Sequence, residues 1–115
     1  MNHLSVVQFI EELEQSLKEN FPFFEMRLLF HTENSFKANI LLEKDSFISV
    51  RFNSRNGRMD FALIIKNQRK FGYDNLKKWH YHPVSNPDDH IFCEAPSIKK
   101  MINDIKEAYQ GLKEE

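Results

Sequence analysis

His80, His82 and His90 are three of the five histidines of this chain, and they fall within one short polar stretch. Histidine exchanges protons near neutrality, so two imidazoles on one surface supply a general base and a general acid without strong tuning. His80 and His82 are two residues apart, so an extended backbone projects both rings from one side and sends Trp79 and Tyr81 to the other. Cleavage of RNA asks for such a pair: one group takes the 2′-hydroxyl proton and another protonates the leaving 5′-oxygen. A cation must also sit near the scissile phosphate. Arg69, Lys70, Lys77 and Lys78 are the candidates for that role, with Arg51 a further nucleic-acid contact. Tyr73, Asp74 and Asn75 could orient the histidines, Asn75 is also a candidate nucleic-acid contact, and Trp79 or Tyr81 could stack on an unpaired base.

The same residues admit other readings. His80, His82, His90 and Cys93 spell His-x-His-x7-His-x2-Cys, a set of nitrogen and sulfur donors of the types zinc takes. A lone cysteine at a strand end is also commonly a small buried hydrophobe. Asp74 and Asn75 can serve as turn caps that bind backbone amides, and Gly72 can mark a bulge. Asp60, between apolar neighbours, is expected to face outward without a catalytic role. The histidine reading requires no cofactor and is metal-independent.

These residues must be carried by a scaffold, and the flanking sequence describes one. Ser5 and Gln8 fit a capping box, after which Val6, Ile10, Leu13 and Leu17 form one apolar stripe that ends near Asn20 and Pro22. Residues 24–30 read as a strand. Phe36, Ala38, Ile40 and Leu42 alternate with polar residues, and so do Ile48, Val50 and Phe52, the period of a half-buried strand. Turns are expected at 32–35, 43–46 and 53–57, the last around Asn56-Gly57. A fourth strand runs over 58–65, and a turn at 66–68 leads to a fifth from Arg69. Beyond Asn75 the pattern lapses into a loop with Pro83 and Pro87 until a short strand at 91–93. Pro96 and Ser97 open a last helix whose Ile98, Met101, Ile102, Ile105, Tyr109 and Leu112 share a face. The fold class is therefore α+β: helix, antiparallel meander of five or six strands, helix, with both helices on one sheet face.

Composition allows one domain, 1–115, with 41% apolar residues including eleven Phe to fill a single core. No apolar run is long enough for a membrane span and no leader-like start is present, so a cytoplasmic protein without membrane contact is expected. One cysteine excludes an internal disulfide. The net charge of −1 conceals an asymmetry: residues 46–80 hold eight basic and two acidic residues, and the remainder is acidic. A basic middle suits a phosphate-bearing partner, whereas alternating charges on a solvated sheet face are the plainer account.

The order Arg69-x-Phe-Gly-Tyr-Asp-Asn75, His80-x-His82, a polar loop, His90 and a proline-started amphipathic helix resembles the TumE-like toxin family of toxin-antitoxin modules. The strand over 45–51 and the strand over 61–66 follow the same layout, so the resemblance covers most of the chain. It implies a small α+β toxin whose partners are RNA and a cognate DNA-binding antitoxin, with Tyr73, Asp74, Asn75, His80, His82 and His90 as site residues. Leu76-Lys-Lys-Trp79 departs from the family's usual proline- or glycine-rich approach to the histidines. The competing expectations are a non-enzymatic protein-binding module, or a zinc-binding domain using His80, His82, His90 and Cys93. The open sheet face also offers a surface for a homodimer.

Overall fold

The computed structural model describes residues 3–43 and 45–114. Met1, Asn2 and Glu115, at the ends of the expected domain, and Lys44, in the expected turn at 43–46, lie outside the described residues. Helix α1 spans Val6–Asn20. Among the described residues seven strands follow: β1 (Glu25–His31), β2 (Ser35–Leu41), β3 (Ser46–Asn53), β4 (Met59–Ile65), β5 (Gln68–Asp74), β6 (His80–His82) and β7 (Ile91–Phe92). Helix α2, Ile98–Lys113, closes the chain.

Ser5 starts α1 as expected. Its hydroxyl accepts from the Gln8 amide at 3.1 Å and its own amide donates to Gln8 Oε1 at 2.9 Å, so two otherwise orphaned donors are satisfied. Ser97 caps α2 in the same manner, accepting from the Lys100 amide at 3.0 Å. Neither helix contains a proline, and each presents one apolar stripe.

All seven strands pair antiparallel in sequence order, so the meander is continuous. The strand count exceeds the expected five or six because His80–His82 and Ile91–Phe92 both join the sheet. His80–His82 is a strand by its pairing with β5, and Ile91–Phe92, within the short strand expected at 91–93, pairs in turn with β6. Lys66 and Asn67, with φ of 52° and 63°, form the two-residue link between β4 and β5, a turn whose backbone matches the strand twist. The bulge is not at Gly72: Leu63 pairs with Phe71 and Ile64 with Arg69, so Lys70 is the extra residue. Gly72 has another reason to be glycine, since a Cβ there would lie 2.6 Å from the Phe61 carbonyl oxygen.

Both helices lie on one face of the sheet. Phe9, Leu13 and Leu17 from α1 and Met101, Ile102 and Ile105 from α2 meet Phe36, Ile40, Ile48, Val50, Phe52, Phe61 and Leu63, all essentially inaccessible. The Phe9 ring stacks on Phe52 with centroids 4.4 Å apart and planes at 2°. Each such burial contributes about 1.5–3 kcal/mol, so this inner face fixes which side of every strand is outer. Among the described residues no helix is long and apolar enough to cross a membrane.

Candidate functional site

Strand parity assigns the chemistry-bearing residues to faces. Paired residues share a face, and the register runs Arg51↔Asp60↔Asp74↔His80↔Phe92 from β3 to β7, with Gly72↔His82 alongside. This row lies on the outer face, because the flanking Val50, Phe52, Phe61 and Tyr73 point into the core. His80 and His82 therefore emerge together, as an extended segment requires, with Trp79 and Tyr81 turned inward.

The loop after β6 returns over the outer face and brings His90 to the other two rings. Ring centroids are 5.1 Å apart for His80 and His82, 4.7 Å for His80 and His90, and 4.7 Å for His82 and His90. The His80 and His90 planes are nearly parallel, at 7°. His80 and His82 are 5% and 3% exposed, whereas His90 is open to solvent.

Hydrogen bonds determine which nitrogens are free. His80 Nδ1 is 2.9 Å from the Lys78 carbonyl and His82 Nδ1 is 3.0 Å from that of Pro87. A carbonyl only accepts, so each Nδ1 carries a proton and donates. Both Nε2 atoms then face the same oxygen, Asp74 Oδ2, each at 3.2 Å. For His82 the alignment is that of a hydrogen bond; for His80 it is not, and among the described residues its buried Nε2 has no properly directed partner despite the short distance. Burial raises the Asp74 carboxyl, but the Leu76 amide, the hydrogen bond from His82 and the neighbouring His80 and His82 outweigh it and hold the group below the usual carboxylate range.

Asp60, one strand over, is pushed the other way. Burial and repulsion from Asp74 raise it, against the opposing pull of Arg58, Arg69 and Arg51. Arg58 donates to Asp60 Oδ2 at 3.3 Å. Expected as outward-facing, Asp60 is so, and it belongs to the charged row beside the histidines.

A shallow cavity of about 320 Å³ opens beside this cluster, lined by Leu76, Lys77, Lys78, His80, His90 and Phe92. Lys77 stands at a φ of 68°, and the Lys78 ammonium lies 5.7 Å from the centre of the Phe92 ring. Phe92 is 72% exposed. Sequence reasoning overlooked Phe92 and Leu76 as site residues; a short strand at 91–93 was expected, but its pairing with β6, which sets Phe92 opposite His80, has no signal in the sequence.

Several expected site residues lie elsewhere. Tyr73 is on the core side, where its hydroxyl donates to Asp104 Oδ2 at 2.6 Å; burial and that bond raise its ionisation well above the ordinary range. It cannot orient the histidines from there. Trp79 packs against the core from the inner face, so Phe92 is the aromatic available beside the rings. Asn75 is a clamp, accepting from the Met59 amide at 2.8 Å and donating to the Gly57 carbonyl at 2.9 Å. Lys70, at the bulge, borders a separate cavity near Tyr109 and Leu112. Arg51 and Arg69 face Asp60, and Lys77 and Lys78 reach the histidine cavity.

For a metal, His80, His82 and His90 can each bring one ring nitrogen within 4.8 Å of the other two. Cys93 is not part of this set. It lines an inner-side cavity with Tyr73, Tyr81 and Lys100, and burial raises its thiol against the lowering effect of Lys100. Comparison with protein-family models, curated proteins and solved structures finds no significant match.

Proposed function

We propose that the chain is the toxin of a toxin-antitoxin pair and acts by cleaving RNA through proton transfer at the histidine cluster. The observation that carries this reading is the cavity where two imidazoles, His80 and His90, meet two lysines and an exposed phenylalanine. Phe92 offers a face for an unpaired base, and Lys77 and Lys78 offer charge for the adjoining phosphates. In the reaction the 2′-oxygen attacks the neighbouring phosphorus as its proton is taken, and the phosphorus to 5′-oxygen bond breaks as that oxygen is protonated.

His90, the exposed ring, meets substrate and exchanges its proton, and His80 stacks behind it as a positioning residue whose nitrogens are turned to the Lys78 carbonyl and Asp74. His82 is a positioning residue, fixed between the Pro87 carbonyl and Asp74. This differs from the expected His80 and His82 couple because their Nε2 atoms converge on one buried carboxylate oxygen, which leaves no space for a phosphate between them. The resemblance of the 69–90 stretch to the TumE-like toxins supplies the toxin part of the reading, including a DNA-binding antitoxin as partner.

The test is RNA cleavage by purified protein, with His90→Ala as the informative variant because an exposed side chain can be removed without unfolding the chain. A loss of roughly 10²–10⁴-fold is expected, the scale of general acid–base catalysis. Undiminished cleavage by the variant overturns the assignment. Absence of both cleavage and a growth defect on expression without antitoxin overturns the toxin reading itself.

A second reading has its own observation. Leu28, Leu29 and Phe30 are 53%, 48% and 42% exposed along the open edge strand β1. An apolar, unpaired edge is a surface on which another chain can add a strand. A protein-binding module using that edge needs no catalysis.

A further inference from the structure

We propose that His80, His82 and His90 form a binding site for one divalent transition-metal ion of the zinc type, with Asp74 as the adjoining carboxylate. The inference concerns the same cluster as the nuclease reading but does not depend on that activity.

Three features carry it. The first is composition and proximity: three imidazoles from two neighbouring segments place ring nitrogens within 4.8 Å of one another. Metal–nitrogen bonds of about 2.0–2.1 Å in tetrahedral geometry put ligand nitrogens roughly 3.3 Å apart. The adjustment needed is small, and the exposed His90 is free to make it.

The second is the outer hydrogen bonding. His80 and His82 each donate Nδ1–H to a main-chain carbonyl, which holds the ring and leaves Nε2 as the coordinating atom. Metal-binding histidines are anchored in this way, since the bond fixes the tautomer and strengthens the ligand.

The third is an unpartnered nitrogen. The Nε2 atoms of His80 and His82 both face Asp74 Oδ2 at 3.2 Å; that of His82 donates to it, whereas among the described residues the buried His80 Nε2 has no well-directed partner. A metal ion held by the ring nitrogens would give His80 Nε2 its partner and would stand beside the carboxylate in place of the His82 proton. Asp60 on the next strand adds a second carboxylate to the same neighbourhood. An all-imidazole and carboxylate set selects zinc, copper, nickel or cobalt over magnesium and calcium, which require mostly oxygen ligands.

The experiment uses the full-length protein stripped with chelator and titrated with zinc chloride by calorimetry, then with cobalt chloride by absorption. One equivalent of zinc and a cobalt spectrum of low-coordinate type are expected. His90→Ala should weaken binding by more than about 100-fold, beyond the 10–100-fold typical of an outer-sphere change. His31→Ala and Cys93→Ser should leave it unaltered. Zinc should raise the melting temperature of the wild type, since it binds the folded state, and leave that of His90→Ala in place. No binding at micromolar zinc, or equal binding by His90→Ala, overturns the proposal. Rings holding a metal cannot transfer protons, so zinc should also slow RNA cleavage. If no cleavage exists the nuclease reading falls, and the isotherm alone decides the metal site.

Discussion

Replacing Tyr73 by phenylalanine separates the inner face of the sheet from the outer one. The residue sits between the Gly72 and Asp74 positions that face the histidine cluster, yet its own ring points into the core and its hydroxyl donates to Asp104 at 2.6 Å. A hydrogen bond to a charged acceptor contributes about 1.5–3 kcal/mol. Asp104 keeps a second partner, the Lys100 ammonium at 2.9 Å, and is itself partly exposed, so its carboxylate is not stranded when the phenol is lost. The loss should thus fall at about 1–2 kcal/mol. For a domain of this size that lowers the melting temperature by roughly 3–8 °C. Thermal denaturation monitored by circular dichroism reads the change, and cleavage and zinc binding below the transition should match the wild type. A Tyr73→Phe protein with unchanged melting but diminished cleavage would refute the face assignment, and with it the reasoning from strand parity.

The acid dependence of Asp60 provides another check. Its folded carboxyl is raised by burial and by Asp74, so its favourable contribution is present below the ordinary carboxylate pKa and is lost as pH rises through the folded value. Asp60→Asn should therefore be more stable than wild type in urea at pH 7, with the gap narrowing towards pH 3; a variant less stable at pH 7 contradicts this. Asn75→Ala should cost about 1–3 kcal/mol, because it strands the Met59 amide and the Gly57 carbonyl, and a purely nucleic-acid-binding Asn75 would leave the melting temperature unmoved. Changing Lys66-Asn67 to Asn-Gly, the pair that favours two successive positive φ values, should stabilise by about 0.5–1 kcal/mol; chemical denaturation showing a loss would mean the turn differs from the one described.

The scaffold was legible because its signals are local. Ser5 and Gln8, the apolar stripes of both helices, and the alternation through Phe36–Ile40 and Ile48–Phe52 each report a period set by backbone geometry, and the resulting helix–meander–helix order follows from short turns. Parity also foretold that His80 and His82 share a side. Tyr73 and Trp79 show the limit of that reasoning: their chemistry suited the site, but one residue of offset along a strand turns a side chain to the opposite face. Which face is inner depends on where the helices dock, and that is decided by the whole core.

By itself, then, the sequence determined the elements, their order, and the crowding of imidazole, carboxylate and lysine into one segment. Only the tertiary structure brought His90 onto His80, set Phe92 beside them, joined Asp74 to two Nε2 atoms and removed Cys93 to the other side. The physical reason is that two- and three-residue strands have no periodicity of their own. The register of β6 comes from hydrogen bonds to β5 and that of β7 from hydrogen bonds to β6, and β5 is itself positioned by burial against α2.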